Sequence, residues 1–116
     1  MINGAHVIVY SKDPEKDRAF FRDVLKFPVV DAGHGWLIFA LPPAEAAFHP
    51  AEKNDQHKLY FMCDDLKATM ESLTQQVKFG PIKKERWGIV TEIELPGGGK
   101  IGLYQPQHPT AIESRD

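Results

Sequence analysis

Hydrophobic and polar positions follow the same order of periodicities twice along the chain. Residues 5–11 (AHVIVYS) alternate with a period of two, which predicts a strand. Residues 13–27 carry apolar side chains three and four positions apart behind Asp13 and Pro14, which predicts a capped helix. Three short apolar segments between turn residues then predict strands, at 28–32, 35–41 and 44–49.

From His57 the order starts again, with a strand, a helix and three strands. The predicted elements are 57–63, 64–77, 79–86, 88–95 and 100–106. An offset of 51 residues carries His6 to His57 and Asp13 to Asp64. Two βαβββ modules sharing one core are the economical interpretation of such a repeat, so we expect a single α+β domain over residues 1–116. Its parts are module one at about 4–50, a linker at 51–56, module two at about 57–106 and a loose tail at 107–116.

Composition narrows the class of protein. Hydrophobic residues make up 42% of the chain, which is enough for a packed core, and the net charge is only −2. No cluster of basic residues indicates nucleic-acid binding, and no apolar run approaches the ~20 residues of a membrane span. The single cysteine, Cys63, has no partner for an internal disulfide. We therefore expect a soluble, cytoplasmic protein with no nucleic-acid or membrane partner.

The segment HVIVYSKDPEKDRAFFRDVLKF (6–27), the second histidine at 57 and the PGGG turn at 96–99 resemble the vicinal oxygen chelate superfamily. This group includes glyoxalase I, the extradiol dioxygenases, the fosfomycin-resistance proteins and the bleomycin-binding proteins. The resemblance covers about residues 4 to 106. It implies that the two βαβββ modules pair into a cup-shaped mixed β-sheet with the helices on the outer faces.

The resemblance also implies where a metal would bind, because ligands in the metal-binding members project inward from the first and fourth strands of each module. On this basis His6, His49 and His57 are the expected ligands of one divalent ion (Zn, Ni, Mn or Fe), with Glu45 as a substitute. The last strand of the family usually carries a glutamate, and here Gly102 takes its place. A Gly102→Glu substitution is expected to restore that ligand.

Aromatic residues are the candidates for contact with a small molecule. Tyr10 and Tyr104 alternate onto the faces of His6 and Gly102, and Trp36 offers a flat ring in a predicted strand. Trp36 and Trp87 are both candidates to floor a ligand pocket by stacking, and each is equally consistent with core packing or a dimer contact. Open sheet edges predict a homodimer that buries part of Trp36 or Trp87. His108, in the tail, is expected to have no role.

Two functions stay open from the sequence. One is a glyoxalase-like, metal-assisted lyase, isomerase or oxygenase acting on a small oxygenated molecule; its catalytic residues are not identified. The other is a metal-free protein that binds or sequesters a small molecule, as bleomycin-resistance proteins do. The net charge of −2 argues against a polycationic ligand, which requires a strongly acidic cup.

Overall fold

The computed structural model describes residues 6–45 and 47–112, and it confirms the α+β class with two helices and mixed sheets. The first half contains helix α1 (Pro14–Ala19), continued by a π-helical turn (Phe20–Val24), and a hairpin of two strands. The second half contains helix α2 (Leu66–Leu73) and one sheet of five strands. The strands are β1 (Val29–Asp31), β2 (Leu37–Phe39), β3 (Tyr60–Met62), β4 (Lys78–Phe79), β5 (Lys83–Glu85), β6 (Gly88–Glu94) and β7 (Lys100–Pro106).

The second half has the strand–helix–three-strand order that its sequence pattern predicts. Strand β3 lies parallel to β7, β7 is antiparallel to β6, and β4 and β5 both pair with β6 as two parts of one interrupted strand. The β6–β7 hairpin closes at the predicted glycine turn, where Gly98 has a φ of 103° that other residues rarely adopt. One face of this sheet packs on α2, and the other face is concave and open.

Equivalent aspartates begin the two helices and define the internal repeat. The Asp13 Oδ1 accepts a hydrogen bond from the backbone N–H of Lys16, and the Asp65 Oδ1 accepts one from the N–H of Ala68. Superposing these caps gives an offset of 52 residues, one more than the spacing of the two histidines. At the position equivalent to His6, the second half therefore carries Lys58.

The core joins the two halves through phenylalanine side chains. The Phe21 ring, on the π-helical turn, lies 5.4 Å from the ring of Phe39 in β2 and 6.0 Å from that of Phe61 in β3. Phe27 packs edge-on against Phe61 at 5.6 Å. These rings adjoin the fully buried cluster formed by Phe20, Leu66, Val77, Ile93, Leu95, Ile101 and Leu103.

The first half departs from the predicted pattern at two of its strands. Over the described residues, neither the segment 6–11 nor the segment 44–49 forms a regular strand. A strand is defined by ladder hydrogen bonds to a neighbour, and side-chain alternation alone does not supply that neighbour. The second segment is also rich in alanine and lies between prolines, both of which disfavour strands. The cup shape of the sequence prediction is therefore not confirmed over the described residues.

The tip of the β6–β7 hairpin is tied to the first helix. The backbone N–H of Gly97 donates to the Asp17 Oδ1 at 2.7 Å, across 80 residues of sequence. A Cβ on Gly97 would meet this carboxylate at 2.7 Å and 2.9 Å, so any other residue here would displace the Asp17 side chain. In the part of the chain that the structure describes, no helix is long and apolar enough to cross a membrane.

The Asp17 contact predicts a specific stability effect. Replacing Asp17 by Ala removes the charged acceptor of the Gly97 N–H, which lowers the stability of the fold. The second carboxylate oxygen is buried without a partner among the described residues, so its removal offsets part of that lost stability. We expect urea unfolding to show a loss of about 1–2 kcal/mol. Asp23→Ala is the matched control, because the Asp23 carboxylate bonds only the exposed neighbour Arg22. Equal stabilities of the two variants would contradict the proposed tie.

Candidate functional site

The concave face of the second-half sheet, together with the extended segment 7–10, encloses a cavity of about 640 Å³. This volume falls in the range of small-molecule sites. Its floor comes from the middle of β7 and β6, its walls come from the residues around β3 and β5, and the apolar segment Val7–Tyr10 runs along its rim.

Gly102 lies in the centre of the floor, with a tyrosine ring lying over it. Tyr60 of β3 is the direct register partner of Gly102, and Glu92 of β6 is its partner on the other side. A Cβ on residue 102 would overlap the Cδ1 and Cε1 atoms of the Tyr60 ring. The space that a glutamate side chain needs is therefore occupied by Tyr60, and a Gly102→Glu substitution restores an inward carboxylate only if this ring is displaced.

Tyr60 is one of three aromatic rings that pack edge to face. The ring centroids of Tyr60, Trp87 and Tyr104 are separated by 6.0, 5.7 and 5.3 Å, at interplanar angles between 76° and 80°. Such contacts are too close for a ligand to enter between the rings, and they hold each ring in place. Trp87 remains 40% exposed, so part of its face is available inside the cavity.

The C-terminal segment contacts this aromatic cluster through His108, a residue for which the sequence predicts no role. His108 Nδ1 donates to the Pro109 carbonyl at 2.8 Å, so its Nε2 accepts the Tyr104 hydroxyl hydrogen at 3.1 Å. The His108 ring also stacks on the Tyr104 ring at 5.9 Å. Burial, with smaller contributions from Glu45 and Tyr60, raises the pKa of Tyr104. Tyr104 therefore acts as a hydrogen-bond donor at neutral pH.

The four expected metal ligands lie in different surroundings. The Glu45 Oε2 accepts hydrogen bonds from the backbone N–H groups of Ala111 and Ile112 at 2.8 and 3.3 Å, so this carboxylate is already engaged. His49 is exposed, and its Nδ1 donates to the Pro50 carbonyl at 2.7 Å. His57 lines the cavity, and the exposed His6 adjoins its rim.

The side chain that shares the concave face with Tyr60 is Lys58. Its Nζ lies 5.5 Å from the Tyr60 ring centroid and donates to the Tyr60 hydroxyl at 3.4 Å. Among the described residues, no three His, Cys, Asp or Glu side chains are grouped so that they could hold a metal ion.

The three aromatic residues expected to bind the ligand lie in three different places. Tyr10 lines the cavity and is 90% exposed. Tyr104 packs edge to face against the rings of Tyr60 and Trp87. Trp36 lies elsewhere, on the first-half hairpin, where the Arg18 guanidinium sits 5.0 Å above its ring. Trp87, which the sequence offers as a pocket candidate, lines the cavity. Sequence alternation did not identify Tyr60 or Lys58, although both lie on the predicted strand 57–63 and differ by two positions.

Comparisons with known proteins bear on the fold. No family model matches the chain, and no curated protein matches it. Among solved structures, TnmS3, an antibiotic binding protein from Streptomyces sp. CB03234, matches with a TM-score of 0.59 and 23% identity over 89% of this chain and 100% of its own. A glyoxalase/bleomycin resistance protein from the same organism matches with a TM-score of 0.57 and 26% identity over 84% and 95%. Lactoylglutathione lyase from Agrobacterium tumefaciens matches with a TM-score of 0.57 and 18% identity over 88% and 92%.

The fold and the cavity define an α+β protein whose open sheet face encloses a small-molecule-sized space. The solved structures identify this fold, and they confirm the resemblance found in the sequence. The chain has the vicinal oxygen chelate fold of the glyoxalase/bleomycin resistance proteins.

The packing of Tyr60 on Gly102 predicts a coupled pair. Gly102→Ala is expected to destabilise the protein by about 1–3 kcal/mol, because the new Cβ overlaps the Tyr60 ring. In a Tyr60→Ala background the same change should cost less than about 0.5 kcal/mol, which a double-mutant cycle by chemical unfolding measures. Gly99→Ala is the control, since its Cβ meets only the Leu95 Cδ1 at 3.8 Å. Additive effects at positions 60 and 102 would contradict the contact.

Proposed function

We propose that this protein binds a small aromatic molecule in the cavity and holds it without chemical change. The observation that carries the proposal is the aromatic wall: Tyr60 is fixed on Gly102, and Trp87 presents a partly exposed ring to a cavity of about 640 Å³. Fixed rings lose little conformational freedom when a ligand binds, and their flat faces favour a planar apolar partner. The similarity to an antibiotic binding protein supports the same class of function.

Within this proposal Tyr10 closes the cavity from the rim and contacts the bound molecule. Tyr10 belongs to an extended segment, Val7–Tyr10, whose side chains are all substantially exposed. A ligand that covers this segment buries apolar area of Val7, Ile8 and Val9, which contributes roughly 25 cal/mol per Å². Tyr104 holds the rings of Tyr60 and Trp87 in position by packing against both.

A metal-assisted lyase, isomerase or oxygenase is the alternative function. It needs His6, His49 and His57 to converge, with Glu45 or a substrate oxygen completing the ligand set. The engaged carboxylate of Glu45, the carbonyl-bound ring of His49 and the lysine at position 58 do not favour it. We therefore derive no catalytic step. A bound divalent ion stays a prediction of the sequence resemblance, and a cytoplasmic location stays a prediction from composition.

A homodimer is the expected state of the binding protein. The first-half hairpin leaves an apolar hollow of about 290 Å³ uncovered, lined by Pro28, Val29, Val30, Ile38, Phe39 and Ala40. Val30 is 64% exposed and Trp36 is 55% exposed. A second copy of the chain that covers this hairpin removes both from water, in line with the burial of Trp36 expected from the sequence.

Calorimetric titration tests the binding function. The probes are three naphthalenes of similar size and different charge: 2-naphthoate, 2-naphthylmethanol and (2-naphthylmethyl)trimethylammonium. At least one should bind saturably, and Trp87→Ala should weaken its Kd at least about tenfold, because the exposed ring of the wall is lost. Trp36→Phe, outside the cavity, should stay within about twofold.

The titration also separates the two functions. Affinity is expected to be the same in EDTA as in Zn²⁺, Ni²⁺ or Mn²⁺. A melting temperature that rises with one of these ions alone would favour the metal-assisted alternative, by mass action on a metal-bound native state. Absence of saturable binding by every naphthalene probe would contradict the proposed function.

Sedimentation velocity tests the dimer. At micromolar concentration the wild-type chain should sediment as a dimer, and Val30→Glu should shift it to a monomer, because a carboxylate in an apolar interface is costly to bury. Lys67→Glu, on the exposed surface of α2, is the matched control and should remain dimeric. A wild-type monomer would contradict the assembly, and a dimer unaffected by Val30→Glu would contradict the hairpin interface.

A further inference from the structure

Three lysine side chains line the cavity from three different strands or strand ends. Lys58 precedes β3, Lys83 begins β5 and Lys100 begins β7. All three residues are exposed. Over the described residues the ion pairs are Lys16 with Asp13 and Arg22 with Asp23, so none of the three cavity lysines is neutralised by a carboxylate there.

The sheet register places these lysines around the aromatic wall. Lys100 and Gly102 are two residues apart on β7 and share the concave face. Lys83 is the register partner of Val90, which in turn is the partner of Tyr104 on the other side. Lys58 extends over the Tyr60 ring. A ligand lying against Tyr60 therefore has ammonium groups on more than one side.

The charge of the cavity differs in sign from that of the whole chain. Glu85 and Glu92 are the acidic residues among its lining side chains, against the three lysines, so the cavity carries one excess positive charge. The chain as a whole carries a net charge of −2. A preference for an anion therefore cannot come from the overall field of the protein, and it has to come from the local arrangement of the lysines.

Resting on the binding function proposed above, we propose that the ligand is an aromatic acid. Its planar ring lies against Trp87 and Tyr60, and its carboxylate, sulfonate or phenolate is held by the ammonium groups of Lys58, Lys83 and Lys100. Ammonium groups bind such oxygens as point charges with three donors each, which tolerates several positions of the acid group. A quaternary ammonium ligand of the same size is disfavoured by the same charges.

The three naphthalene probes test the charge preference directly. The expected order of affinity is 2-naphthoate first, 2-naphthylmethanol about tenfold weaker and the trimethylammonium compound weakest, from a few exposed charge–charge contacts. Raising NaCl from about 0.05 to about 0.5 M should weaken naphthoate binding several-fold and leave naphthylmethanol unchanged, because only the charged contact is screened.

Variants assign the preference to the lysines. Glutamine keeps two of the four methylene groups of lysine and removes the charge. Each of the variants Lys58→Gln, Lys83→Gln and Lys100→Gln should therefore reduce naphthoate affinity about twofold to fivefold, with naphthylmethanol affinity unchanged. Lys67→Gln, on α2, is the control for a change in net charge outside the cavity. Glu92→Gln should act in the opposite direction and strengthen naphthoate binding, because it removes a negative charge next to Gly102.

The outcomes distinguish this inference from the binding function. If all three probes bind with equal affinity, the protein binds aromatic molecules and the acid preference is wrong. The same holds if naphthoate is preferred but the lysine variants match Lys67→Gln. If no probe binds, both the binding function and the acid preference are contradicted. Circular dichroism of each variant confirms that affinity is compared between folded proteins.

Discussion

The contact on which the cavity depends is the Tyr60 ring lying over Gly102. A strand glycine contributes no side chain and normally weakens a sheet, but here its missing Cβ is the space that an aromatic ring from the adjacent parallel strand fills. With Tyr60 held in this position, Trp87 and Tyr104 pack against it edge-on. The wall of the cavity, the floor of the cavity and the anchored C-terminal segment all follow from this one backbone approach.

The same contact bears on the chemistry that the fold can support. Family resemblance implies an inward carboxylate on the last strand and an inward imidazole on the first strand of each module. Gly102, with the Tyr60 ring over it, stands where the family carries the carboxylate. The offset between the two helix caps places Lys58 where module two would carry the imidazole. Glu45, which lies on the segment expected to supply the remaining ligands, is bonded to the backbone of the C-terminal segment. The carboxylate of Glu45 and the Nδ1 atom of His49 are thus engaged in contacts within the chain.

An element can be predicted from the sequence when residues close to it in the chain determine its structure. The second-half strands, both aspartate caps and the glycine turn follow from alternation, side-chain hydrogen bonds and φ angles, and they form at nearly the predicted residues. The segment 6–11 has the alternation of a strand but no ladder partner over the described residues. The role of His108 depends on Tyr104 and on the fold of the C-terminal segment against Glu45, 66 residues from its bonding partner Ala111. The offset between the helix caps is one residue longer than that between the histidines, and matching letters alone do not reveal which side of a strand a residue takes.

Two departures from the family pattern change the cavity in the same direction. Glycine in place of glutamate at 102 removes one negative charge, and lysine in place of histidine at 58 adds one positive charge near neutral pH. The fold alone requires neither change, because a strand with one face open to solvent accepts glutamate or histidine there and keeps its backbone hydrogen bonds to its neighbours. Together they make the cavity more positive than the family pattern implies, although Glu92 remains beside Gly102, and the ring over Gly102 supplies apolar surface. A cavity that gains positive charge and aromatic area at the same point is suited to a ligand in which a ring and an acid group are joined.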